Sequence, residues 1–179
     1  MKFELKDIPK YVASVLFCLL LRALPGRPPN IEPVMASLLP LSKANGKWVA
    51  AIYAAAIMVL FDILTKFGDW TYITAATYAL VGIVAAYWFK DREPSPTEFA
   101  LFSIPATIVY DVITAVLGML PFGMSIEQIL IGQIPFTINH LLGNVALCFI
   151  VSPLLYRYVF MNEKLDLSYL KAQAANLLK

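Results

Sequence analysis

The sequence predicts an all-α integral membrane protein, a bundle of six transmembrane helices followed by a short amphipathic C-terminal helix. Three observations predict it. The chain is 60% hydrophobic and only 15% charged, with a mean hydropathy of +0.71, whereas soluble domains run near about 45–50% apolar and about 25% charged. Its 179 residues leave room for five or six spans of about 20 residues each and no separate soluble domain. Apolar runs at 8–24, 31–42, 48–65, 71–89, 98–120 and 129–160 are divided by turn chemistry: Pro25-Gly26-Arg27-Pro28-Pro29, Asn45-Gly46, Gly68-Asp69, Asp91 to Pro96, and Pro121-Phe122-Gly123.

The first run follows Lys2, Lys6 and Lys10 as a signal peptide would, but it ends in Arg22 and Pro25 rather than a small-residue cleavage site. A retained first helix is therefore expected. The second run has 13 residues from Asn30 to Ser42 and rises only about 20 Å as a helix, so it either crosses or turns back inside the bilayer. Charge placement favours crossing. Six spans put Lys2, Lys6, Lys10, Lys43, Lys47, Lys90, Arg92, Arg157, Lys164, Lys171 and Lys179 on one side and Arg22, Arg27 and Lys66 on the other, 11 against 3. Five spans give 10 against 4 and leave the first three lysines outside. The positive-inside rule then makes both termini cytoplasmic in a multi-pass protein of the cell membrane.

In the third run Ala50, Ala51, Ala54 and Ala55 place small residues four apart and let a second helix approach closely, either within the bundle or from a partner subunit. The fourth run carries Trp70, Tyr72 and Trp88 near its ends, as interfacial anchors do, and Trp48 and Tyr158 lie at the edges of other runs. Tyr78, like Phe136 in the sixth run, lies deeper, where packing or stacking on a planar ligand would suit it. The sixth run closes a single domain over 1–162. Beyond it, residues 163–179 alternate leucines with Lys, Asp, Gln and Asn, which suits a cytoplasmic helix lying on the membrane surface.

The fifth and sixth runs hold the most informative residues, because ionisable groups inside a bilayer face the bundle interior or a watery cavity. Ser103, Thr107, Asp111 and Thr114 share one face of the fifth helix; Gln133, Thr137, His140 and Asn144 share one face of the sixth, with Asn139 adjacent. Asp111 lies 10 residues before Pro121 and His140 lies 10 after Leu130, so each is about 15 Å below the same boundary. They are expected at matching depth, able to share a hydrogen bond or to face one ligand. Asp62 precedes Lys66 by one turn and Arg22 ends the first helix, a pattern that fits either an interfacial ion pair or a charged pocket mouth.

Other chemistry finds no footing in the sequence. His140 is the only histidine, so HExxH zinc chemistry fails, and there is no GxxxxGK phosphate loop. Ser125 lacks the second glycine of a nucleophile elbow. Tyr110-Asp111 resembles half of a presenilin-type aspartyl protease, but Phe67-Gly68-Asp69 departs from GxGD and falls at the outer surface. Cys18 and Cys148 sit in apolar runs without CxxC spacing and read as packing residues. A net charge of +2 gives no reason to expect a nucleic-acid partner. No catalytic residue, metal or cofactor is expected.

The segment Pro29-Asn30-Ile31-Glu32-Pro33-Val34-Met35-Ala36, followed by a basic turn and a long third helix ending in Asp62, resembles the substrate-binding components of energy-coupling factor transporters. Pro135-Phe136-Thr137-Ile138-Asn139-His140-Leu141-Leu142-Gly143-Asn144 resembles the sixth helix of such proteins. The resemblance implies a six-helix bundle that captures a small water-soluble vitamin or related metabolite at its outer face. It further implies docking, through small residues of the first and third helices, onto a transmembrane coupling subunit carried by an ATPase pair. Here the third helix supplies its alanines, while the first offers only Ala13, Ser14 and Cys18. The resemblance supports Asn30 and Glu32 over the pocket and Asn139, His140 and Asn144 within it.

The leading expectation is a binding subunit with Asp111, Asn139, His140 and Asn144 as polar floor, Arg22, Glu32 and Asp62 as mouth, and the 25–33 segment as lid. Two alternatives stand beside it: a solitary carrier or channel that uses the Asp111/His140 level as a proton relay, and a membrane scaffold in which the polar stripes join helices.

Overall fold

The computed structural model describes residues 4–26 and 31–177. Its helices are α1 (Ile8–Ala23), α2 (Pro33–Asn45), α3 (Lys47–Leu64), α4 (Asp69–Trp88), α5 (Pro96–Met119), α6 (Ile126–Leu155) and α7 (Leu167–Leu177), with a π-helical turn at Tyr156–Phe160 continuing α6. Helix ends coincide with the turn chemistry of the sequence. Gly46, at φ 84°, takes the left-handed conformation that lets α3 start one residue after α2 stops. Ser95 caps α5 by accepting from Glu98 N, and Ser125 and Gln128 form a reciprocal capping box on α6.

Among the described residues four segments are long and apolar enough to cross a bilayer: α3, α4, α5 with its terminal turn (Pro96–Phe122), and α6 with its π turn (Ile126–Phe160). The chain is a membrane protein. At 16 and 13 residues, α1 and α2 are shorter than a span needs.

The surface fits that environment. α1 turns Lys10, Ser14, Cys18 and Arg22 inward, one residue per turn, and leaves Val12, Leu16 and Leu20 on the outside, the reverse of a soluble amphipathic helix. Trp48, Trp70, Tyr72, Trp88 and Tyr158 are all exposed.

α2 is the core. Every residue of it except Lys43 is buried, and it packs against α1, α3, α4, α5 and α6. It runs antiparallel to α1: its last residue, Asn45, donates to the Tyr11 hydroxyl at 2.8 Å, while Ser37 and the Pro33 carbonyl in its first turn contact the Cys18 thiol. The start of α2 is thus level with Cys18, below the end of α1, and the helix fills only part of the bundle's height. Pro40, inside α2, deprives the Ala36 carbonyl of its normal intrahelical donor. Ser152 of α6 supplies the missing bond, its hydroxyl 2.8 Å from Ala36 O.

α3 and α4 approach closely at Gly82, where a built Cβ would lie 3.0 Å from the Ala50 carbonyl carbon. At one end of the bundle the Lys43 ammonium donates to the carbonyls of Phe89 and Arg92 at 2.9 and 2.8 Å and closes the C-terminus of α4. At the same end Lys10 lies between Asp7 (3.0 Å) and Asp166 (2.6 Å), and Asn45 donates to Asp7 at 3.1 Å. This network joins the chain's first described turn, the end of α2 and the segment leading to α7.

Candidate functional site

The polar stripes of α5 and α6 face each other. Asp111 Oδ1 and His140 Nδ1 lie 2.7 Å apart, with both residues buried, so the depths counted from the two helix boundaries match in three dimensions. One turn further along, Asn144 Nδ2 donates to Thr107 Oγ1 at 2.9 Å. Ser103 and Thr114 instead bond to carbonyls of α5 itself, as hydroxyls in helices commonly do.

Aromatic rings frame this ladder. Tyr78 of α4 packs on Tyr110 with ring centroids 4.3 Å apart; Tyr110 and Phe136 each meet the His140 ring edge to face, at 5.8 and 5.7 Å. A second set of charges lies alongside. Arg22 Nη2 pairs with Glu32 Oε1 at 3.3 Å, and the guanidinium is stacked over Phe61 at 3.9 Å. Glu32, Arg22, Asp111 and Asp62 all act electrostatically on the Tyr110 phenol, and Glu32, Arg22 and Asp111 on that of Tyr78. Arg22, Glu32, Asp62, Asp111, His140 and Asn144 therefore belong to one region beyond the first turn of α2.

Besides Arg22 Nε, four polar atoms there, Tyr78 OH, Asp111 Oδ2, His140 Nε2 and Asn144 Oδ1, are sealed from solvent and have no hydrogen-bond partner. An unmet buried polar group costs about 1–3 kcal/mol, so four on adjoining helices form a set that complementary groups would stabilise. The set combines a hydroxyl donor with carboxylate and amide acceptors and an imidazole nitrogen of either character. Among the described residues no group of three or more His, Cys, Asp or Glu is arranged to hold a metal.

Several expectations need correction. Asn139 is exposed on the outer face of α6 and is not part of the cluster; neighbouring helical residues point about 100° apart, so His140 facing inward turns Asn139 away. Asn30 lies outside the described residues, as do Arg27, Pro28 and Pro29 of the 25–33 lid. Asp62 does not pair with Lys66 among the described ion pairs: its Oδ2 accepts from Thr71 Oγ1 at 2.6 Å, and the Lys66 ammonium lies 5.8 Å from the Trp70 ring centroid. Ala50, Ala51 and Ala54 are buried inside the bundle and Ala55 is half-buried, so internal packing, rather than an outward docking face, accounts for the first three.

Sequence reasoning missed the Tyr78 hydroxyl as a member of the polar set and the inward stripe of α1. The spacing of Lys10, Ser14, Cys18 and Arg22 at 4, 4 and 4 was available as a signal for the second. A family model described as a family of unknown function, DUF6580, matches residues 4–163. No curated protein and no solved structure matches the chain.

Proposed function

The chain belongs to the DUF6580 family, and on the geometry of its buried polar cluster we propose that it is a membrane-embedded binding subunit for a small, polar, water-soluble metabolite. The observation that carries the reading is the group of four sealed, unpartnered atoms on Tyr78, Asp111, His140 and Asn144. A ligand with both donors and acceptors would satisfy them while its body rests among Tyr110, Phe136 and Phe61, the usual composition of a small-molecule site. The Arg22–Glu32 pair joins the end of α1 to the residue before α2, and parting of this pair would loosen that end of the bundle for a ligand to enter.

In this reading α1 also crosses, and α2 takes the chain back in a second passage. The bundle then has six passages with both termini cytoplasmic, and the site opens outward. The resemblance to substrate-binding components of energy-coupling factor transporters supplies the remaining parts, a coupling membrane subunit and an ATPase pair, neither of which this sequence contains.

The test is purification from native membranes in mild detergent, with mass spectrometry of both the proteins and the small molecules that accompany the chain. A stoichiometric metabolite that disappears in Asp111→Asn and in Asn144→Leu, in protein that still elutes as a folded species, supports the reading; unchanged recovery in both variants overturns it. Co-recovery of ATPases identifies the coupled form.

The Asp111–His140 contact of 2.7 Å supports a second reading, a solitary carrier with a proton relay in the membrane interior. That reading requires uptake by liposomes containing this chain alone, with a pH dependence lost in His140→Gln.

A further inference from the structure

Asn139 is exposed on the outer face of α6, beside the buried His140. It lies 13 residues beyond Ile126, where α6 begins, or about 20 Å along the helix. The surrounding outer surface is apolar: Ile134, Ile138 and Leu142 are exposed with it. No hydrogen bond to the Asn139 amide occurs among the described residues. A primary amide facing acyl chains at that depth has lost water without gaining a partner, and asparagine in a membrane helix regains one across a helix–helix contact.

The residues around it form a seam. Gly132, Pro135, Asn139, Leu142 and Ala146 follow steps of 3, 4, 3 and 4 and are all exposed, the spacing that keeps one stripe against a partner helix in left-handed packing. A Cβ built on Gly132 would meet nothing within 4 Å, so nothing in this chain requires glycine there. Leu142 and Ala146 also border a groove between α5 and α6 that Ile104, Val145 and Phe149 line, giving a side chain from outside a place to insert.

We propose that this face of α6 is the interface with a second copy of the same chain, related by a two-fold axis along the membrane normal and centred on Asn139. Self-complementarity of the amide selects the occupant. Two copies inserted in the same sense bring their Asn139 side chains to the same depth, and each amide both donates to and accepts from the other. A different protein would need a polar group at that depth to do the same. The interface lies outside the polar cluster and does not depend on the binding reading.

Oxidative cross-linking in native membranes tests it, because both natural cysteines are buried and free. Leu142→Cys on the seam is expected to form a disulfide dimer, whereas Leu80→Cys and Leu16→Cys, on exposed faces of α4 and α1, are not. Adding Asn139→Leu to Leu142→Cys is expected to reduce the dimer about three- to tenfold, and Asn139→Gln to retain most of it. Cross-linking at position 142 no stronger than at the controls, an Asn139→Leu variant with undiminished dimer, or an adduct only to a protein of different mass would each overturn the proposal.

Discussion

At the scale of single residues, Ser152 serves a partner distant in sequence, since its hydroxyl bonds the Ala36 carbonyl 116 positions away. The bond exists because Pro40 cannot supply it. Ser152→Ala is therefore expected to destabilise the protein by about 1–3 kcal/mol, read as a lower thermal midpoint in detergent. In a Pro40→Ala background the helix regains its own donor, so the same substitution should cost markedly less. Equal losses in both backgrounds would refute this account, and a double-mutant cycle measures the difference. The Asp111–His140 contact was legible in the sequence because helical rise converts position into depth and the two turn boundaries gave a common origin. Asn139 was misplaced for an equally local reason: it shares a motif with His140 but not a helical face. Glu32 was read as part of the pocket mouth, while its role as partner to Arg22 depends on two helix ends meeting and cannot be counted along one helix.

At the scale of elements, six apolar runs and the C-terminal helix appear as helices where turn chemistry places them, with ends shifted by a few residues. The position of α2 was not legible, because a run of 13 residues carries no mark that five other helices will surround it. Nor was the inversion of α1, whose polar residues looked like interruptions until their four-residue step met a partner surface. The α3–α4 contact gives the sharpest element-scale expectation. Gly82→Leu forces a side chain into the Ala50 backbone, where even a Cβ lies 3.0 Å from the carbonyl carbon, and overpacking of this kind costs about 1–3 kcal/mol. Gly132→Leu, with open space beside it, should leave the monomer's thermal midpoint nearly unchanged. Comparable losses in the two variants would mean that α3 and α4 do not approach as described. Lys43 makes a third expectation: Lys43→Met removes the donor to the Phe89 and Arg92 carbonyls in the turn that follows α4 and should raise hydrogen exchange through residues 86–92 more than in α3.

At the scale of the whole molecule, Lys10 joins parts of the chain that are distant in sequence. Its ammonium contacts Asp7 and Asp166, and Asp7 in turn holds Asn45. Lys10→Met leaves two poorly solvated carboxylates without their cation, and breaking such a buried pair costs about 3–5 kcal/mol. Proteolysis at 163–167 should then accelerate while the helices of the bundle remain protected; an unchanged cleavage rate would show that the tail is held by other contacts. The burial of α2 has a consequence for how the protein is made. A segment of 13 residues containing Ser37, Pro40, Ser42 and Lys43 is too short and too polar to leave the translocon for lipid by partitioning. Its stability in the membrane comes from the helices around it, most of which are synthesised after it. Biogenesis must therefore hold residues 33–45 in a provisional position until α5 and α6 emerge, and α2 completes the bundle last in time although it stands second in sequence.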